Sequence, residues 1–214
     1  FPCSQPKDYE EVGWWHHTIE DTIENADVEG EVDTRKVIAW QLAWLAGASI
    51  LPFEFASVAE EFRSNLINLQ KEVGNIFDLI SLIKKSEALH VQARKLKKTV
   101  ERLSSLQVVA KRKSERERYG ELAEAINERL MKLTRILIHP NHTVSKYGQD
   151  PYQAAIKPLP LLQPVLELAS LSRESNEFKV LWTDMIRARN EVSDALRAAI
   201  EVSAEATNLP ECFR

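Results

Sequence analysis

Apolar residues recur every three or four positions over most of this 214-residue chain, which is the period of an α-helix. After Pro52, turn signals such as Gly74-Asn75 separate four such stripes. The stripes begin at Phe55, Ile76, Leu122 and Phe178. Ser114 and Glu117 are spaced as a capping box at the start of the third helix. With no alternating strand-like segment of useful length, the sequence predicts an all-α fold, an antiparallel bundle of long helices.

The densest apolar run, from Val37 to Leu51, predicts a helix that is buried on all sides. Asp33 is its predicted N-cap, and Trp40 and Trp44 are four residues apart on one face. A membrane span needs about 20 apolar residues. This run stops short of that at Pro52, so no membrane span is predicted, and a short irregular arm precedes the helix.

Composition fits a protein that is not a general binder of polyanions. The net charge of −4 and the pI near 5.8 give no overall attraction to nucleic acid or to an anionic membrane. Two cysteines, Cys3 and Cys212, are too few for a disulfide framework. They would permit one disulfide between the two ends of the chain if the ends meet in an oxidising compartment, but we expect free thiols.

The segment from Gly13 to Thr22 holds side chains suited to metal chemistry, with two tryptophans, His16, His17 and then Asp21. Neutral imidazole is the commonest zinc ligand, and a carboxylate often fixes its second nitrogen. A catalytic zinc normally takes three protein ligands. No other histidine or cysteine forms a short ligand pair with His17, so we expect no complete metal site within this chain. The alternative is a loop in which the histidines only pack.

This segment resembles the last metal-binding segment of the co-catalytic zinc exopeptidases. The resemblance lies in the order His17-Thr18, Asp21-Thr22 and Asn25-Ala26-Asp27. That family includes aminopeptidases, glutamate carboxypeptidases and the catalytically silent transferrin receptor. The resemblance implies that His17 is a zinc ligand and that Asp21 steadies its loop. His16 stands where one bacterial branch tends to have a tryptophan, which leaves the reverse assignment of the two histidines open.

Further along, residues 127–138 resemble a helix on the substrate side of the family's dimerisation domain. Lys146 and Tyr147 resemble a pair that contacts the substrate's terminal carboxylate. The resemblance implies a peptide substrate, a homodimer and an α/β catalytic domain of the same protein as partner. The family's His-x-Asp motif is missing here, so the zinc would be shared with ligands outside this chain, and the chain alone is not expected to catalyse.

These expectations divide the chain into residues 1–32, the end of a catalytic domain, and residues 33–214, a dimerisation-type bundle. Residues 139–164, rich in proline, would be a loop shaping the substrate pocket. The predicted function is that of the C-terminal part of a zinc-dependent exopeptidase-like protein. The rival is a helical interaction module of the transferrin-receptor type with no metal role.

A third and weaker option is a nucleic-acid binder, based on a locally basic helix and turn. Its cations are Arg94, Lys95, Lys97, Lys98 and Arg102, followed by residues 111–113. Interleaved glutamates dilute this charge, and Tyr119 is the only aromatic residue nearby. We therefore expect a solvated face and no nucleic-acid partner.

Overall fold

The structure is a computed structural model that describes residues 18–20, 22–25, 28–109, 112–143 and 157–212. Its α-helices are α1 (Val28–Gly47), α2 (Phe55–Val73), α3 (Ile80–Val109), α4 (Lys113–His142) and α5 (Asn176–Cys212). Ile23–Asn25 and Gln163–Ser170 form 3-10 helices. The described residues include no strand, so the predicted all-α fold is confirmed. The chain divides into two compact units, Phe1–Ala48 and Ser49–Arg214.

Helices α2 to α5 form the bundle of the second unit. Helix α2 packs on α3, α3 packs on α5, and α5 packs on α4. The predicted stripes supply its core, since Phe62, Leu66, Leu89, Leu133 and Val192 are all fully buried. Each helix therefore buries the one face that the sequence marks as apolar.

Polar contacts between the helices fix their directions. From α2 to α3 the pairs are Glu54–Lys97 at 3.8 Å, Glu60–His90 at 3.3 Å and Arg63–Glu87 at 3.4 Å. Along these pairs the residue number rises on the α2 side and falls on the α3 side, so α2 and α3 are antiparallel. Residues 78, 85 and 92 contact Arg189, Ser193 and Thr207 in that order. Helices α3 and α5 therefore run in the same direction.

One side chain holds the turn between α2 and α3. Gln70 Nε2 donates to the carbonyl oxygens of Gly74 at 2.7 Å and Phe77 at 3.1 Å. Its Oε1 accepts from the amide of Leu79 at 2.6 Å. Gly74 ends α2 with a φ of 59°, the left-handed region that favours glycine, as the predicted break requires. The turn is therefore closed by both backbone and side-chain bonds.

Helix α1 departs from its prediction in two ways. It begins at Val28, so Asp33 is not its N-cap but lies inside the helix, where it pairs with Lys36 at 2.9 Å. The predicted burial is also wrong, since every residue from 31 to 47 is exposed. Trp40 and Trp44 are 65% and 50% exposed, and their rings stack at 6.0 Å. The prediction rested on apolar composition alone.

The start of α4 also differs from its prediction. The helix begins at Lys113, and the Glu115 carboxylate accepts from the amide of Arg112 at 3.1 Å. The hydrogen bond of a capping box, from a helix-start amide to a glutamate side chain, therefore joins residues 112 and 115. The sequence had predicted it for Ser114 and Glu117. As predicted for the run from Val37 to Leu51, no helix in the described part of the chain is long and apolar enough to span a membrane.

Replacing Gln70 with alanine should lower the free energy of unfolding by about 1–3 kcal/mol. The change removes three hydrogen bonds and leaves the partly buried amide of Leu79 without its acceptor. Urea unfolding of the variant measures the loss. Gln41→Ala is the matched control, because Gln41 is an exposed residue of α1. Equal midpoints for both variants would show that the turn does not depend on Gln70.

Glu54 should make stability depend on pH. Burial raises its pKa, but hydrogen bonds from Ser57 and Ala56 and the charge of Lys97 outweigh burial, and the pKa lies below its ordinary value of 4.5. A carboxyl whose pKa is lower in the folded state stabilises fully above its unfolded pKa, and this contribution is lost as pH falls through the folded pKa. The stability difference between wild type and Glu54→Gln should therefore shrink in acid.

Urea midpoints at neutral pH and below pH about 4 measure this difference. Glu61→Gln is the control, since Glu61 is exposed on the same helix. A wild-type advantage over Glu54→Gln that stays constant across this range would contradict the assignment.

Candidate functional site

The residues predicted to carry function lie outside the described part of the chain. These are His17 and Asp21 of the metal-binding segment, and Lys146 and Tyr147 of the substrate-contacting pair. Cys3 lies outside it as well. Their roles therefore stay predictions, and the structure bears on them only through neighbouring residues.

The described neighbours of His17 form a short exposed turn. The amide of Glu20 donates to Thr18 Oγ1 at 3.1 Å, and the amide of Thr22 donates to the Glu20 carbonyl at 2.8 Å. A hydrogen bond from Thr22 contributes to lowering the pKa of Glu24. Ile19 and Ile23 are 93% and 83% exposed. This turn and α1 together display much apolar surface.

A polar cluster ends α4 just before the predicted substrate pair. His139 Nδ1 lies 2.8 Å from Thr143 Oγ1, and His139 Nε2 lies 2.9 Å from Glu191 Oε1 on α5. The imidazole is 17% exposed, whereas the carboxylate is 46% exposed. The cluster thus ties the end of α4 to the middle of α5. Residues 139–142, predicted to lie in a loop, are the last turn of this helix.

Hydroxyl, imidazole and carboxylate in series are the elements of a nucleophilic triad. Thr143 Oγ1 also lies 3.2 Å from the His139 carbonyl, and the Thr143 amide donates to the same carbonyl at 3.1 Å. These bonds to the residue four positions earlier are those of a helix C-terminus. The arrangement therefore fits a helix cap that closes the C-terminal end of α4.

An open groove of about 880 Å³ lies along α4. Tyr119, Ala123 and Met131 give it an apolar floor, while Arg116, Glu124, Glu128 and Arg135 carry mixed charge. Asn127 lies midway, accepting from the amide of Leu51 at 2.8 Å and donating to the carbonyl of Ser49 at 2.9 Å. We call this surface the α4 groove.

Three residues that hold parts of the fold together were not predicted from the sequence. Gln70 closes the α2–α3 turn, Asn127 binds the segment at Leu51, and Glu191 binds His139. Each bonds to a group that is distant in the chain or in a turn, so the helical period carries no signal for it. A partial indication in the sequence exists only for Asn127, because it is a polar residue next to the apolar stripe of α4.

No cluster of three or more metal-binding side chains occurs in the residues that the structure describes. The basic face of α3 is present as the sequence predicts, with Arg94, Lys95, Lys98 and Arg102 exposed. Helix α3 carries seven cations and two carboxylates, although the whole chain has a net charge of −4.

Comparisons with protein-family models, curated proteins and solved structures found no match. The resemblance to the zinc exopeptidases therefore depends on the short motifs of the sequence.

Replacing Asn127 with alanine should speed hydrogen exchange at the Leu51 amide by about fivefold, because a hydrogen bond with a net contribution of about 1 kcal/mol is lost. Hydrogen–deuterium exchange resolved to this amide makes the measurement. Asn190→Ala is the matched control, since Asn190 is an exposed residue of α5. An unchanged Leu51 rate would show that other contacts hold residues 49–51.

Proposed function

We propose that this chain forms the C-terminal part of a zinc-dependent aminopeptidase- or carboxypeptidase-like protein. It would supply the last zinc ligand, part of the wall of the substrate pocket and a bundle that pairs two subunits. The observation that carries this proposal is the uncovered apolar surface next to the motif. Ile19 and Ile23 lie within the motif segment, α1 follows it, and all of them expose apolar side chains.

A helix that is apolar all round is normally buried. In the proposed protein an α/β catalytic domain would cover this turn and α1, and it would bring the remaining metal ligands to His17. The chain has too few donors beside His17 for a complete zinc site, but it fits one that is shared between two domains.

In this proposal His17 holds one zinc ion and Asp21 steadies the ligand loop. Zinc in such a site polarises the substrate carbonyl and lowers the pKa of a bound water. Thr18, directly after His17, is exposed, which fits a segment that meets another domain.

Lys146 and Tyr147 would contact the terminal carboxylate of a peptide substrate, as the resemblance implies. The His139 cluster supports this placement, because it anchors the chain only a few residues before Lys146. The bundle would also provide the contact between two subunits.

The test uses the full-length protein, with zinc content and hydrolysis of an aminoacyl-anilide panel as two readouts. His17→Ala should lose bound zinc and should reduce kcat/KM by about a hundredfold or more, since changing even the groups that orient zinc ligands costs 10–100-fold. His16→Ala is the matched control and should keep both properties.

Loss of zinc in His16→Ala alone would move the ligand to His16. A wild-type protein without zinc, or a folded His17→Ala with full zinc content and activity, would overturn the peptidase proposal. The exposed apolar helix α1 would then favour the rival, a helical interaction module in which the histidines have no metal role. Circular dichroism of each variant shows whether the fold is retained.

A further inference from the structure

A second cavity, of about 480 Å³, lies at one end of the bundle. It is lined by the α2–α3 turn at Asn75 and Ile76, by Arg173, and by residues of the first two turns of α5. We call it the end pocket. It lies apart from the α4 groove, with which it shares no lining residue. The inference below does not depend on the proposed peptidase function.

Aromatic rings build one wall of the end pocket. Trp182 stacks on Phe178 with ring centroids 5.7 Å apart, and it meets Phe77 edge-on at 5.1 Å. Phe77 is buried, and the guanidinium of Arg189 lies 5.4 Å from its ring centroid. Each ring is thus held by a neighbour, so the wall exists before any ligand arrives.

The charged residues that line the end pocket are both cations. Arg173 and Lys179 are both among its lining residues, and no carboxylate lines it. Lys179 Nζ donates to the neutral carbonyl of Glu174 at 3.0 Å, and Arg173 has no ion pair within the described residues. This contrasts with the α4 groove, where two glutamates accompany two arginines.

The positive end of α5 adds to this field. Ser175 Oγ accepts from the amide of Phe178 at 3.1 Å, the bond expected of an N-cap. The 37-residue helix therefore begins at the pocket, and the N-terminus of a helix favours negative charge.

We propose that the end pocket binds a small organic anion with a planar apolar body, such as an aromatic carboxylate or sulfonate. The planar body would lie against Trp182, and the anionic group would lie between Arg173 and Lys179. The cavity volume is within the range of about 300–1,000 Å³ that small-molecule sites occupy.

The test compares two probes of the same ring system on the full-length protein. Naphthalene-2-sulfonate carries a negative charge, whereas naphthalen-2-ol is neutral near pH 7. Calorimetry should show that the sulfonate binds at least about tenfold more tightly than the naphthol, a difference of about 1.4 kcal/mol. In spectra of the indole N–H protons, the signal of Trp182 should shift on adding the sulfonate.

Arg173→Gln and Lys179→Gln should each weaken sulfonate binding by several fold and leave naphthol binding unchanged. Lys84→Gln is the matched control, since Lys84 is an exposed cation on α3. Trp182→Leu should weaken both probes. Equal affinity for the two probes, no sulfonate binding at millimolar concentration, or full sulfonate affinity in Arg173→Gln would each overturn the proposal. Arg173 and Lys179 are exposed, so their variants should fold.

Discussion

Mutual burial of four one-sided helices is the constraint on which the rest of this structure depends. Helices α2 to α5 each have a single apolar stripe, and a fully buried leucine or phenylalanine contributes about 1.5–3 kcal/mol relative to an exposed one. None of these helices can bury its stripe alone, so each needs the others in register. The polar links lie at the margins of this core. Gln70 closes a turn, Asn127 holds the approach to α2, and His139 joins α4 to α5. Apolar burial thus holds the helices together, while a few directional bonds fix where they begin, end and meet.

Helix α1 shows what happens to an apolar helix without such partners. Its second half, from Val37 onward, is apolar, yet the side chains of Val37, Ile38, Trp40, Leu42, Trp44 and Leu45 are exposed. Soluble proteins rarely leave a continuous apolar surface of this extent uncovered unless something binds it. This unused surface directly follows the motif that resembles a zinc-ligand segment. In the proposed protein, one neighbouring domain would supply the missing metal ligands and would also cover the apolar surface of α1.

The helical period predicted the fold well because it is a local property of the sequence. The stripes beginning at Phe55 and Phe178 and the break at Gly74 are all present in the structure. Helix starts were predicted less well, because several residues near each start can cap it. Asp33 was one such candidate, but the acidic residues Glu29 and Glu31 lie in an earlier first turn. Contacts such as that of Asn127 with Leu51 join positions 76 residues apart and carry no local signal. The proposed site stays a prediction for a different reason, since its predicted residues His17, Asp21, Lys146 and Tyr147 lie outside the described part of the chain.

The uneven distribution of charge has a consequence for how this protein behaves as a whole. Helix α3 carries a net charge of +5 from seven cations and two carboxylates, so the remainder of a chain with net charge −4 carries −9. The exposed cations Arg94, Lys95, Lys98 and Arg102 therefore make a locally basic surface on a chain of negative net charge. Retention on an ion-exchange column depends on the face that meets the resin. At low ionic strength this basic surface would be the part of the described chain that a cation exchanger attracts, and added salt would screen that attraction.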